Sequence, residues 1–101
     1  MFTKDSSIVD KDVVGVYAVL AVNDYLVATA GDDSCIKIWN LDENNIECIQ
    51  TLIGHSNSVH SLCLLQYSKI IASGSSGESA SIKIWNITDG TCLKTLKGKL
   101  S

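Results

Sequence analysis

The side chains with the widest chemical reach in this sequence are two histidines, His55 and His60, four cysteines at positions 35, 48, 63 and 92, and the adjacent carboxylates Asp32 and Asp33. A structural zinc site draws on closely spaced Cys and His pairs, and no C-x-x-C occurs here, so zinc spacing is absent. An even count of cysteines permits disulfides. Cys35, Cys48 and Cys92, however, lie in or beside apolar strand patterns, where a free thiol behaves as a small hydrophobe, and this predicts buried free thiols. Calcium takes six to eight oxygens, and nothing near Asp32-Asp33 supplies the rest, so turn chemistry accounts for the pair. Gly74-Ser75-Ser76-Gly77 has the glycines of a phosphate-cradling loop but lacks the Gly-Lys-Ser/Thr ending, which argues against nucleotide binding. His55 with Asp33 is the one acid-base dyad to weigh. The two fall in different repeats, and a structural role is the better reading. The expectation is therefore no enzyme, no cofactor and no metal.

Partners are bounded by charge and hydropathy. A net charge of −3, with the eight Lys and Arg scattered, leaves no positive field for nucleic acid. No apolar run approaches the ~20 residues of a membrane-spanning helix, and Lys4 and Asp5 precede any apolar run, unlike a signal peptide. A cytoplasmic or nuclear protein is expected. In that setting the sequon Asn86-Ile87-Thr88 meets no glycosylation machinery and reads as a strand end.

The elements that carry these residues come in two copies. Ile36-Lys37-Ile38-Trp39-Asn40 recurs unchanged as Ile82-Lys83-Ile84-Trp85-Asn86. Around it, Leu26-Val27-Ala28-Thr29 answers Ile70-Ile71-Ala72-Ser73, Cys48-Ile49-Gln50-Thr51-Leu52 answers Cys92-Leu93-Lys94-Thr95-Leu96, and Val16-Tyr17-Ala18-Val19 answers Val59-His60-Ser61-Leu62. Short runs rich in Val, Ile and Leu, punctuated by Asn23-Asp24, Gly31-Asp32-Asp33-Ser34, Asp42-Glu43-Asn44-Asn45 and Asp89-Gly90, predict an all-β chain of antiparallel meanders. Strands are expected near 14–20, 25–30, 35–40 and 47–52, then 58–64, 69–74, 81–86 and 91–96.

Through Gly54-His55, Ala72-Ser73-Gly74-Ser75 and the two Ile-Lys-Ile-Trp-Asn strand ends, the sequence resembles the WD-repeat family over about residues 12–97, and such repeats run ~40 to 45 residues. Both units end Trp-Asn where the family usually has Trp-Asp. The resemblance implies two four-stranded antiparallel propeller blades, 11–53 and 54–97, forming a partial β-propeller. Residues 1–10, including Ser7-Ile8-Val9, align with the outer strand of a preceding blade, and 98–101 with the start of a next one, Gly98-Lys99 standing where Gly-His belongs.

The family locks each blade with a hydrogen-bonded chain of Trp, Ser or Thr, His and Asp. Carried over by position, the second unit supplies His55, Ser73 and Trp85, with Ser79 in the place of the Asp and Glu78 beside it. The first supplies Thr29, Asp33 and Trp39, with Lys11-Asp12 in place of Gly-His. Such gaps predict buried polar groups short of a partner, at about 1 to 3 kcal/mol each.

The resemblance also implies a non-catalytic scaffold that presents loops to a protein or peptide. The matching rim positions are Tyr17, Asp32, Ser58, His60 and Glu78, whose acids and His suit a basic or mixed peptide. An idle solvated rim is an equal reading of the same residues. A blade needs a sheet on each face, and closure takes ~4 to 8 blades. Two blades leave two faces wet, which at roughly 25 cal/mol per Å² forfeits on the order of 10 kcal/mol. Further blades are thus expected from a longer parent chain or from other copies, the longer parent being the favoured source; a self-assembling ring protomer, or a non-catalytic part of a larger enzyme or regulatory complex, are the alternatives.

Overall fold

A computed structural model describes residues 15–42, 44–76 and 81–97. The segments 1–10 and 98–101 that align with neighbouring blades, and Lys11, Asp12, Glu78 and Ser79, lie outside the described residues.

Eight strands fall in chain order: β1 Val16–Ala21, β2 Leu26–Gly31, β3 Cys35–Leu41, β4 Ile46–Ile53, β5 Val59–Gln66, β6 Ile70–Ser75, β7 Ser81–Asn86 and β8 Thr91–Lys97. They form two separate four-stranded antiparallel sheets, β1-β2-β3-β4 and β5-β6-β7-β8, each a meander in sequence order. This is the all-β, two-blade arrangement that the internal repeat predicts, with strand ends shifted by a residue or two.

Turn chemistry joins the strands. Asn23 Oδ1 accepts from the backbone N–H of Tyr25 and of Leu26, both at 2.9 Å, and Asp89 Oδ1 accepts from Thr91 N at 3.0 Å and Thr91 Oγ1 at 2.8 Å. Those two bonds, the backbone one foremost, hold the Asp89 carboxyl below its ordinary value. Gly90 takes φ 81°, where a side chain would be strained.

Strand alternation gives each sheet two faces. In the first, the cross-strand pairs Ala28↔Ile38, Ala30↔Ile36 and Ile36↔Leu52 put small and β-branched apolar residues on one face, and all of them are buried. In the second, Leu62↔Ser73, Leu64↔Ile71 and Ile71↔Trp85 share a face. These two faces meet: Ala28, Ala30, Ile36, Ile38 and Leu52 form one buried cluster with Val59, Ile71 and Trp85, and β5 runs beside β1 and β2. Polar contacts clamp both ends of the seam. Asn23 Nδ2 donates to Ser68 Oγ at 2.7 Å at one end, and the Tyr17 and His60 rings stack at the other, with centroids 5.2 Å apart.

The two sheets also share their irregularities. A bulge falls between Ile38 and Trp39 in the β3/β4 pair and at the matching Ile84/Trp85 step of β7/β8, and the first strands bulge at Val16/Ala18 and Val59/Ser61.

The cysteines depart from the expectation. All four are free thiols, but Cys48, Cys63 and Cys92 are exposed and Cys35 is half-buried. Cys48 and Cys92 stand on β4 and β8, edge strands with no sheet beyond them, so lying within an apolar pattern did not mean lying within a core. Cys35 is the one whose thiol burial raises, aided by the Asp33 charge and opposed by that of Lys37.

If the seam carries the stability, Leu52→Ala, at the buried contact, should lower unfolding free energy by about 2–5 kcal/mol. Leu93→Ala, on exposed β8, should change it by no more than about 0.5 kcal/mol. Urea midpoints followed by tryptophan fluorescence distinguish the two, and equal effects would refute this account of the core.

Candidate functional site

Inside the second sheet, a chain of side chains links two strands, β6 and β7, to the segment before β5. Trp85 Nε1 donates to Ser73 Oγ at 2.8 Å, Ser73 Oγ lies 2.7 Å from His55 Nε2, and His55 Nδ1 lies 3.3 Å from Ser81 Oγ. Ser73 is also 3.5 Å from the Lys83 carbonyl oxygen. Gly54 lets the chain pass the indole closely, since a Cβ there would sit 3.0 Å from Trp85 Cη2.

The partner of His55 Nδ1 is therefore Ser81, four residues before the tryptophan. Position matching singles out Ser79 and Glu78, which lie outside the described residues, and nothing in the first repeat marks Ser81, because its counterpart there is Cys35. A hydroxyl in that place has a chemical consequence. Neutral imidazole offers one donor and one acceptor, and two hydroxyls, each able to do either, satisfy it in either tautomer. A carboxylate would favour the imidazolium. Burial, followed by the Lys83 charge, lowers the His55 pKa below its ordinary 6.5.

The first sheet holds a shorter chain, in which Trp39 Nε1 donates to Thr29 Oγ1 at 2.9 Å. Among the described residues Asp33 takes no part in it. It is exposed in the β2–β3 turn, where its Oδ1 accepts from Cys35 N at 3.2 Å. The penalty expected from missing partners does not arise among the described residues: no buried side-chain nitrogen or oxygen there is without one.

Ser73 and His55 stand at the distance of a nucleophile and its base, but the surroundings do not suit that chemistry. Ser73 is buried, its oxygen already accepts the indole N–H, and the far imidazole nitrogen faces a hydroxyl where a carboxylate would be needed to orient it. Among the described residues no group of three His, Cys, Asp or Glu could hold a metal ion.

The rim residues gather at one end of the seam. Tyr17, 52% exposed, stacks on His60, its counterpart in the second repeat. A side-chain hydrogen bond to Asp32, and that carboxylate's charge, raise the Tyr17 phenol above its ordinary 10.0. Ser58 contributes its carbonyl oxygen, which accepts from Ser75 Oγ at 2.9 Å. On the far side of His60, an open groove of about 450 Å³ is lined by Ser61, Gly74, Ser81, Ile82 and Leu96.

A tryptophan tied through a buried hydroxyl to the histidine of Gly54-His55, inside a four-stranded meander that is then repeated, is one unit of a propeller. Residues 11–40 and 46–86 match the family described as WD domain, G-beta repeat. The chain belongs to the WD-repeat family. It is 36% identical over 73 residues to nuclear distribution protein nudF 1 of Talaromyces marneffei, a match spanning 72% of this chain and 15% of that protein. It is 37% identical over 73 residues to nuclear distribution protein PAC1 of Gibberella zeae, covering 71% and 15%. The probable coatomer subunit beta' of Schizosaccharomyces pombe is 38% identical over 71 residues, covering 70% and 8%. This WD-repeat chain thus spans a small part of the length of the curated relatives it matches. No helix among the described residues is long and apolar enough to cross a membrane.

Two titrations follow. Because the folded pKa of His55 is depressed, its contribution to stability is complete above about pH 6.5 and declines as pH falls below that value, where the unfolded chain binds the proton that the buried ring refuses. Thermal melts between pH 7.5 and 5.5 should show this decline, and His55→Gln should flatten it. Ultraviolet titration should find the Tyr17 phenol ionising above its ordinary 10.0, and Asp32→Asn should bring it down.

Proposed function

We propose that this WD-repeat chain is a non-catalytic scaffold whose Tyr17–Asp32–His60 rim, with Ser58 beside it, receives a protein or peptide. WD repeats act in protein–protein interaction, and one relative is named as a subunit of an assembly, a coatomer. The observation that carries the reading is the Tyr17–His60 stack, with the Asp32 carboxylate near enough to raise the tyrosine's pKa. It places an aromatic face and a carboxylate side by side at the mouth of the seam, held by two rigid sheets. An aromatic face attracts a cation, and a neighbouring carboxylate pairs with it, so a basic or mixed peptide fits best. Glu78, which follows β6 in the sequence, is a further acidic candidate for such a partner. Rigid sheets with variable loops are what binding modules of this kind need, since holding the rim in advance lowers the entropy lost on association. The cytoplasm or the nucleus is the compartment proposed for the chain.

An array of synthetic peptides rich in Arg or Lys, with acidic and neutral arrays as controls, tests this reading. Basic peptides should be retained. Tyr17→Ala and Asp32→Asn should each weaken retention by roughly tenfold, the scale of 1 to 2 kcal/mol for one cation–π or charge-assisted contact. Equal retention of all three arrays, or indifference to both substitutions, would remove the rim from the proposal.

A further inference from the structure

We propose that Asp89-Gly90 is a covalent modification site kept closed by the fold, where the aspartate rearranges to isoaspartate once the β7–β8 turn opens. The turn lies at the end of the second sheet opposite His60, so the inference is independent of whether the rim takes a peptide.

The rearrangement begins when the backbone nitrogen after an aspartate attacks the side-chain carboxyl. A bond forms from Gly90 N to Asp89 Cγ, and the bond from Cγ to one carboxyl oxygen breaks. That oxygen leaves as water, taking the carboxyl proton and the amide proton, and a five-membered succinimide closes. Water then opens the ring. Attack at the former side-chain carbonyl restores aspartate, and attack at the backbone carbonyl routes the chain through the side chain as isoaspartate. Water is the only co-reactant. A side chain on the attacking residue crowds the ring as it closes, and glycine has none. Asp89 is the only aspartate in the sequence followed by glycine, and no asparagine is. The corresponding turn of the first repeat, Asp42-Glu43-Asn44-Asn45, has no glycine, so the site belongs to the second sheet alone.

In the folded turn both reacting groups are occupied. Gly90 N–H donates to the Asn86 carbonyl oxygen at 2.9 Å, a bond that must break before the nitrogen can give up its proton. Asp89 Oδ1 accepts from Thr91 N at 3.0 Å and from Thr91 Oγ1 at 2.8 Å, so the carboxylate is tied to the residue beyond the nitrogen that would attack it. The same bonds keep it ionised, and the ionised group is the poorer electrophile. The hold also reaches across the seam. Gln50 on β4 has its Oε1 2.9 Å, and its Cδ 3.0 Å, from where a Cβ on Gly90 would stand, so the first sheet packs a side chain over the glycine. Isoaspartate adds a backbone carbon just before the Asn86↔Thr91 pair that closes the hairpin, and it moves the carboxylate off the position that holds Thr91. A chain modified in this way keeps a covalent record that its second sheet has opened.

The full chain is incubated at physiological pH and temperature, folded in buffer or unfolded in guanidinium chloride. Its tryptic peptide 84–94 is then separated by reversed-phase chromatography, and isoaspartate is identified by electron-transfer fragmentation. Isoaspartate should accumulate at least about tenfold faster in the unfolded chain, since the folded one reacts only through local opening. Thr91→Val, which removes the hydroxyl donor, should raise the folded rate about tenfold, the scale of one hydrogen bond to a charged group. Thr91→Ser, which keeps that donor, should stay at the wild-type rate, and Gln50→Ala, which touches neither reacting residue, should raise it. Circular dichroism shows whether each variant is folded. If Thr91→Val is not, Gln50→Ala and the comparison of folded with unfolded wild type decide the matter. Equal rates in folded and unfolded wild type overturn the proposal. So does a folded Thr91→Val chain, or a folded Gln50→Ala chain, that isomerises no faster than wild type.

Discussion

Everything in this chain depends on one contact, the dry seam where the Ala28, Ala30, Ile36, Ile38 and Leu52 face of the first sheet meets Val59, Ile71 and Trp85 of the second. Neither sheet has a core of its own, because a four-stranded meander encloses nothing. Burial comes only from the neighbour, and the small Ala28 and Ala30 let the two backbones come close enough for β-branched side chains to interdigitate. The contacts at its two ends, the Asn23–Ser68 hydrogen bond and the Tyr17–His60 ring stack, add direction to what is otherwise a non-directional attraction.

Within that frame the Trp85–Ser73–His55–Ser81 chain has a separate task. It ties the segment before β5 to β6 and β7, so the polypeptide leaving the first sheet is anchored in the second before β5 begins. A buried network of neutral groups, all satisfied, gains this registration without the desolvation that a buried imidazolium–carboxylate pair would require. In the first sheet the corresponding bond joins Trp39 to Thr29, on the face turned away from the seam.

The fold was largely legible because repetition is a pattern that sequence displays directly. Ile-Lys-Ile-Trp-Asn twice over, with turn residues between apolar runs, dictates strand number, order and pairing. What could not be read were features that depend on a third dimension the pattern does not encode. Ser81 holds the same place before its tryptophan that Cys35 holds in the first repeat, and only the second repeat puts a hydroxyl there, so comparing the two copies could not mark it as the partner of His55. Cysteine exposure failed for a related reason. An apolar period-two pattern says that a strand has two faces, and does not say which strand is at the edge. The clustering of Tyr17 and His60 was half visible, since they occupy matching positions, but that matching positions in adjacent blades touch is a property of the packing.

The bulges beside Trp39 and Trp85 carry a last implication. An extra residue in the fourth strand steepens the right-handed coil of the sheet locally, and here the same distortion recurs at the same step. The two sheets thus carry the same local distortion at the same place. Flat cross-β stacking, the ordinary hazard for exposed edges such as β4 and β8, is geometrically mismatched to this surface, so the warp that admits a sister blade also turns away an amyloid-like one.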